Sequence, residues 1–204
     1  MKLFIKPLLS TLFILLFISA CSEAEVPQEG KQYSKLPSPL NNELLSPITE
    51  VFSLTCSHCR NMEKHIPEIS KAAGTDIGKL HTTFNKAADS MAHLYYAAEI
   101  QLKKAPDPEF MESLFAAIRL PKVKQKQQAI EAAFASHHLV NPYKMSVFLN
   151  KKLAERINKV RQLSRNSGIK SVPAFIVNGR YKILLEGHKS SEEIGNTMKY
   201  LLTL

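Results

Sequence analysis

The longest apolar run of the 204-residue chain lies close to its start. Residues 8–18 are almost entirely apolar, the basic residues Lys2 and Lys6 precede them, and the small residues Ser19 and Ala20 follow. A basic start, a short apolar stretch and small residues are typical of a secretory signal peptide. A membrane-spanning helix needs about 20 apolar residues, which is longer than this run. The pattern therefore predicts a signal peptide over residues 1–20.

The residues after this run predict an anchored and flexible entry to the fold. Ile18-Ser19-Ala20-Cys21 resembles a bacterial lipobox, in which the cysteine is lipidated and becomes the mature N-terminus. The alternative is an ordinary signal peptide cleaved near Ala20, which would leave Cys21 as a free thiol. Lipidation at Cys21 would hold the protein on the periplasmic side of the inner or the outer membrane. Residues 21–47 are rich in Pro, Ser, Glu and Asn and predict a tether, with a short edge strand at residues 30–33.

The folded region begins with a strand and a helix that meet at two cysteines. Residues 50–54 alternate between two faces, which is the period of a β-strand. The strand ends at Cys56-Ser57-His58-Cys59, where a helix begins. Pro67 predicts a kink in this helix, Gly74 predicts its end, and residues 79–84 predict the next strand. The apolar stripe of the helix consists of Met62, Ile66, Ile69 and Ala73, which recur with helical spacing.

The pattern changes to continuous helical spacing after residue 86. An apolar stripe over residues 91–102 is interrupted at residues 106–108, which include two prolines. Further helices are predicted over residues 110–118, 125–135 and 143–165. Because this part of the sequence contains no convincing strand pattern, we interpret residues 87–167 as a helical insertion.

Strand signals return after Gly168, which ends the last helix of the insertion. Residues 174–177 predict a strand and residues 181–185 predict its returning partner. Asn178-Gly179 between them predicts a tight hairpin, because both residues tolerate a positive φ. Ser190 starts a capping pattern for a final helix. We therefore predict one α/β domain with the helical block inserted, and its two pieces are residues 48–86 and 168–204.

Composition and charge limit the function classes. Hydrophobic residues make up 45% of the chain, which is enough for a sizeable core, and the formal net charge is +9. A basic surface favours contacts with anionic membranes or acidic protein segments, although it also serves general solubility. Nucleic acid is not an expected partner for an exported protein.

Cys56 and Cys59 form the candidate redox centre. Cys56 lies at the start of a helix, where unpaired N–H groups and the helix dipole favour a negative charge. A Cys-X-X-Cys motif lowers the thiol pKa further. His58 adds a hydrogen-bond donor, and a positive charge when it is protonated. These features make Cys56 the candidate nucleophile and Cys59, one turn further into the helix, the more buried resolving thiol.

Other functions of the cysteines are less compatible with the sequence. The chain has three cysteines, whereas a structural zinc site usually needs four ligands. A purely structural disulfide between Cys56 and Cys59 would close so small a loop that it would stabilise little. A copper site that adds His58 to the cysteines would need a CxxxC-type spacing, which is one residue longer.

The order of elements is strand, CxxC helix, strand, helical block, Pro-led hairpin and helix. With its motifs, this order makes residues 30–204 resemble the DsbA family of periplasmic thiol oxidases. The matching residues are Glu50, Cys56 to Cys59 with His58, Val172-Pro173 and residues 175–181. The resemblance implies a thioredoxin-like fold with an inserted all-helical domain, and thiol:disulfide oxidoreductase activity. No motif implies a nicotinamide, flavin or metal cofactor.

The resemblance also implies roles for residues outside the cysteine motif. Pro173 is expected to be cis and to face the cysteines, so that the backbone of Val172 pairs with an extended client peptide. Glu50 shares a strand face with apolar residues, so we expect it to be buried with a raised pKa. The matching acid of the family lies beneath the active site and helps to move the proton of the resolving thiol. The alternative for Glu50 is an exposed carboxylate at a strand end.

We predict a periplasmic, monomeric oxidase that donates its Cys56–Cys59 disulfide to reduced or unfolded exported proteins. A stabilised Cys56 thiolate favours the dithiol, so the disulfide is readily given away. A DsbB-type, quinone-linked membrane oxidase would reoxidise the pair. Ser57 replaces the proline that is typical of the family, which leaves the reduction potential open. The alternatives are a disulfide reductase or isomerase on the same fold, and a metal-binding chaperone.

Overall fold

A computed structural model of the protein describes residues 26–41 and 43–204. The predicted signal peptide and Cys21 lie outside the described residues. The strands are β1 (Tyr33–Lys35), β2 (Ile48–Phe52), β3 (Gly78–His81), β4 (Ala174–Val177) and β5 (Tyr181–Ile183). The helices are α1 (Ser57–Met62), α2 (Ile66–Ala73), α3 (Lys86–Leu102), α4 (Pro108–Ala117), α5 (Val123–Ser136), α6 (Val147–Asn166) and α7 (Ser191–Leu201). Among the described helices, none is both long and apolar enough to cross a membrane.

The strands form one mixed sheet with the order β1-β5-β4-β2-β3. β2 is parallel to β3 and antiparallel to β4, and β4 is antiparallel to β5. Every residue of the two central strands β2 and β4 is buried. The hairpin between β4 and β5 has positive φ at Asn178 (50°) and Gly179 (61°). The predicted α/β fold with a thioredoxin-like order of elements is therefore confirmed.

The edge strand β1 lies three residues later than predicted. Residues before it form a tight turn, in which Gly30 has a φ of 84° and its N–H donates to the Tyr33 carbonyl at 2.7 Å. Tyr33 is then the first residue that pairs with β5, opposite Ile183. Leu40 is also buried, and its N–H donates to the Gly179 carbonyl at 2.7 Å. Part of the predicted tether is thus packed on the sheet.

The helix at the cysteines is divided in two, as the kink predicted at Pro67 indicated. Pro67 lies in the first turn of α2, where its missing N–H would have no intrahelical partner in any case. Gly74 ends α2 in the left-handed region, with a φ of 74°. The short helix α1 therefore carries the cysteine motif by itself, and α2 begins after the break.

The two faces of the sheet are covered differently. Helices α2 and α7 pack together over one face, where a side chain at Gly195 would come within 2.5 Å of the Ile69 carbonyl oxygen. Helices α3 to α6, from the predicted insertion, share a core with the other face. The rings of Phe52 in β2 and Tyr95 in α3 meet edge to face with centroids 5.1 Å apart. The helical block is therefore continuous with the core beside the cysteines.

Candidate active site

Cys56 caps the helix that carries the motif. Its backbone is extended, with φ −91° and ψ 117°, and its Sγ accepts the N–H of Cys59 at 3.2 Å. The Cys56 side chain is partly exposed, and both cysteines are free thiols in this structure. A donor aimed at Sγ stabilises the thiolate more than the thiol. Cys56 is thus placed to react with molecules that arrive from solvent.

Cys59 lies one turn further along and has no exposed surface. Burial raises the pKa of the Cys59 thiol, and its hydrogen bond with Cys56 and the charge of Glu50 raise it further. The prediction that Cys59 is the more buried of the two thiols is confirmed. The two sulfurs therefore differ in access and in their tendency to ionise.

Glu50 is buried in β2, as the sequence predicted. Its Oε2 accepts a hydrogen bond from Lys79 Nζ at 2.6 Å, and Lys79 also donates to Glu63 Oε1 at 2.8 Å. Among the described residues, Glu50 Oε1 has no hydrogen-bond partner. Burial raises the pKa of Glu50 to about 7 against the opposing attraction of Lys79, and the charge of Glu63 adds to the rise. Glu50 can therefore hold or release a proton near neutral pH.

Lys79 and Glu63 were not among the residues selected from the sequence. Lys79 is paired with Glu50 across the parallel strands β2 and β3. Burial alone would lower its pKa, but the charges of Glu50 and Glu63 outweigh burial and raise it. Lys79 therefore stays protonated. The register between two parallel strands, which creates this contact, has no local signal in the sequence.

His81 is a third residue that was not selected from the sequence. It has no exposed surface, its Nε2 accepts the N–H of Leu54 at 2.9 Å, and its Nδ1 donates to the Thr82 carbonyl at 2.8 Å. Burial lowers the pKa of His81 to about 4. The neutral imidazole thus fixes the chain two residues before Cys56.

The loop before β4 reaches the nucleophile from a distant part of the sequence. The Val172–Pro173 peptide bond is cis, as predicted. The Cys56 thiol donates to the Val172 carbonyl oxygen at 3.4 Å, across 116 residues of sequence. An extended peptide that reacts at Cys56 would therefore meet the backbone of Val172.

The residues between the cysteines face outward. Ser57 and His58 are both exposed, and within the described part of the chain the His58 side chain makes no hydrogen bond. Arg119, two residues after the end of α4, donates from its Nη2 to Ser57 Oγ at 3.4 Å. Arg60 forms a two-pronged ion pair with Glu112, and its Nε donates to Glu112 Oε2 at 3.0 Å. The helical block is thus joined to the motif helix by two arginines.

The arrangement fits redox chemistry at two sulfurs. In residues 26–41 and 43–204, no group of three or more His, Cys, Asp or Glu side chains is placed to hold a metal ion. The structure brings Cys56, Cys59 and Val172 together, with Glu50 buried behind the motif. His58 belongs to the same motif and is exposed.

Comparison with known proteins also indicates a thiol:disulfide oxidoreductase. A family model described as Thioredoxin matches residues 45–199. The thiol:disulfide interchange protein DsbA of Pectobacterium carotovorum is 25% identical over 178 residues, which cover 84% of each chain. DsbA of Dickeya dadantii is 27% identical over 190 residues, covering 86% of this chain and 88% of the relative.

Solved DsbA structures share the fold. A variant of Pseudomonas aeruginosa DsbA superposes with a TM-score of 0.67 at 21% identity, over 87% of this chain and 97% of that one. A Proteus mirabilis DsbA variant with the non-covalently bound peptide PWATCDS gives a TM-score of 0.62 at 22% identity, over 87% and 99%. These likenesses extend over the helical insertion as well as the sheet.

Proposed function

We propose that this chain, which belongs to the thioredoxin family and is a DsbA-like thiol:disulfide oxidoreductase, donates its Cys56–Cys59 disulfide to reduced exported proteins in the periplasm. The observation that carries the proposal is the asymmetry of the two sulfurs. Cys56 is accessible and accepts an N–H at its Sγ, whereas Cys59 is buried with a raised pKa. An incoming thiolate can therefore reach Cys56 and not Cys59.

The reaction transfers two electrons from the client to the protein. A client thiolate attacks Cys56 Sγ, the Cys56–Cys59 bond breaks, and Cys59 leaves as a thiolate that takes up a proton. A second client thiolate then attacks the client sulfur of the mixed disulfide, and Cys56 leaves as a thiolate. The Cys59 N–H at 3.2 Å stabilises the Cys56 thiolate in this second step. The client gains one disulfide and the protein becomes a dithiol.

Glu50 is the proposed proton donor to Cys59. The leaving thiolate is buried, so a protonated group inside the protein must supply its proton. Glu50 titrates near neutral pH and interacts with Cys59 through its charge. The side chains of Glu50, Lys79 and Glu63 are 0%, 8% and 15% exposed, so the hydrogen-bonded series leads stepwise towards solvent. Proton exchange with water can follow this series.

Val172 and Pro173 are the proposed client-binding residues. The Val172 carbonyl faces Cys56 Sγ at 3.4 Å, and a main-chain contact there suits clients of any sequence. A related DsbA has been crystallised with a bound peptide that contains cysteine, PWATCDS. His58, exposed in the motif, is the proposed donor that assists the leaving Cys56 thiolate.

The proposed location is the periplasm, with a lipid on Cys21 as the anchor. We further propose that the protein acts as a monomer and that a DsbB-type membrane oxidase returns the pair to the disulfide. Incorporation of labelled palmitate, compared between the wild type and Cys21→Ala, tests the anchor. Loss of the label in Cys21→Ala is expected, and equal labelling or none in the wild type would contradict it.

The redox state of the pair in cells tests the direction of the reaction. Acid quenching followed by alkylation separates the dithiol from the disulfide. An oxidase is expected to be mainly a disulfide, and to become a dithiol when its membrane oxidase is deleted. A pair that is mainly reduced in unmodified cells would indicate a reductase or isomerase. In the same cells, Cys59→Ser should trap mixed disulfides with clients, whereas Cys56→Ser should trap none.

A further inference from the structure

A cavity of about 750 Å³ lies within the helical insertion, beside the cysteine motif. We call it the insertion cavity. Its wall contains Met91 and Leu94 of α3, Ile130 of α5 and Leu153 of α6. These side chains are apolar, and the last three are more than 90% buried. Concave apolar sites of this volume are typical of ligand binding.

The insertion cavity reaches the active site along one edge. Thr55, which directly precedes the nucleophile Cys56, is part of its lining. Arg119 also lines the cavity, and the same side chain donates to Ser57 Oγ at 3.4 Å. A molecule attached to Cys56 would therefore begin beside the mouth of the cavity.

The rim of the insertion cavity carries apolar side chains that face solvent. Val123 is 80% exposed and Tyr143 is 51% exposed, and both belong to the lining. Exposed apolar side chains around a concave apolar site indicate a surface that is covered when a partner binds. The formal charges among the described lining residues are those of Arg119 and Lys126, which are both positive. The site therefore favours an apolar group with a negative charge beside it.

We propose that the insertion cavity binds an apolar side chain of the client segment that is joined to Cys56, with an acidic client residue next to Arg119 and Lys126. This inference rests on the proposed function and names the client class. An extended segment advances roughly 3.3 Å per residue. A side chain a few residues from the client cysteine can thus pass Thr55 and enter the cavity. Clients with an aromatic or long aliphatic residue at that distance should react faster.

Oxidation rates of matched peptides test this proposal. The peptides have two cysteines and differ at one position four residues from the first, which is Phe or Ser. With the full chain as oxidant at subsaturating peptide, burial of the ring should make the Phe peptide react about tenfold faster. Ala87→Phe fills the cavity from an exposed position of α3 and should bring this ratio of rates close to one. Ala135→Phe, at an exposed position of α5 outside the cavity, should leave the ratio of rates at its wild-type value.

Charge gives a second readout. With a Phe peptide that carries a neighbouring Glu or Lys, the wild type should prefer Glu, and Lys126→Gln should weaken that preference. A wild-type Phe-to-Ser ratio near one, or a ratio that Ala87→Phe leaves unchanged, would overturn the proposal. So would a fluorescent fatty acid that binds the cavity and is not displaced by the Phe peptide, since it would assign the site to a lipid. If the protein oxidises neither peptide, the proposed function itself has failed.

Discussion

Lys79 lies opposite Glu50 on the neighbouring parallel strand, and its Nζ is 2.6 Å from the Glu50 carboxylate. The same ammonium binds Glu63, so one buried cation serves two acids. Even with this cation, burial raises the pKa of Glu50 to about 7. A carboxyl group that titrates near neutral pH is suited to proton exchange with the buried Cys59 thiol.

Glu50→Gln should change how stability depends on pH. The pKa of Glu50 is about 7 in the folded protein, above its usual 4.5. Its contribution is therefore fully present below about pH 4.5 and is lost as the pH rises through 7. As the pH rises from 4.5 to 7, the unfolding free energy of Glu50→Gln should therefore increase by about 3 kcal/mol relative to that of the wild type. Urea unfolding of the reduced protein from pH 4 to 8 measures this, and Glu68→Gln, at an exposed position of α2, serves as a surface control.

His81→Gln should show the opposite trend. Burial lowers the pKa of His81 from 6.5 to about 4, so the neutral ring contributes stability above pH 6.5 that is lost as the pH falls through 4. As the pH rises from 4 to 6.5, the unfolding free energy of His81→Gln should therefore fall by about 3 kcal/mol relative to that of the wild type.

The two effects oppose each other in the wild type. Because their pH ranges overlap, the contributions of Glu50 and His81 to the pH dependence of stability largely cancel. Each variant removes one contribution and should therefore reveal the pH dependence that the other residue causes. The unfolding free energy of each variant can be plotted against pH. If both plots run parallel to that of the wild type across this range, neither group titrates in the folded state as described.

Alkylation should distinguish the two thiols. In the reduced native protein, iodoacetamide should modify Cys56 at least tenfold faster than Cys59, because the thiolate is the reactive form and burial raises the pKa of Cys59. Mass spectrometry of the labelled peptides gives both rates. In Cys56→Ser, alkylation of Cys59 should stay slow until urea is added. Equal native rates would show that Cys59 is accessible.

Gly195→Ala should destabilise the packing of α7 on α2. The new Cβ would lie 2.5 Å from the Ile69 carbonyl oxygen and 2.5 Å from Ala72 Cβ. Overpacking typically costs about 1–3 kcal/mol, which exceeds the roughly 1 kcal/mol gained in helix propensity. Urea unfolding measures the change, and Glu192→Ala on the same helix should stay within about 0.5 kcal/mol of the wild type. A stabilised Gly195→Ala variant would contradict the close approach.

Local signals in the sequence predicted most of the elements. Asn178-Gly179 indicated the hairpin because positive φ is needed at both residues, and Pro67 indicated the break between α1 and α2. Ser190 indicated the start of α7, where its Oγ accepts the Glu193 N–H at 3.2 Å. The start of α6 was predicted at residue 143, whereas the helix begins after Ser146, whose side chain caps it.

Contacts between distant residues could not be predicted in the same way. The pairing of Glu50 with Lys79 depends on strand register, and the contact of Arg119 with Ser57 spans 62 residues. Burial of Glu50 was predicted from its strand face. Its two charged neighbours Lys79 and Glu63, which also shift its pKa, were not predicted. The contact of Cys56 with Val172 was expected only because the chain resembles a known family.

The reduction potential of the Cys56–Cys59 pair tests the central claim most directly. Equilibration with glutathione buffers, followed by alkylation and mass spectrometry, gives the value for the wild type. Because the Cys59 N–H stabilises the Cys56 thiolate, we expect an oxidising couple, between about −120 and −180 mV. A value near −270 mV, roughly that of thioredoxin, would contradict the proposed oxidase and indicate a reductase.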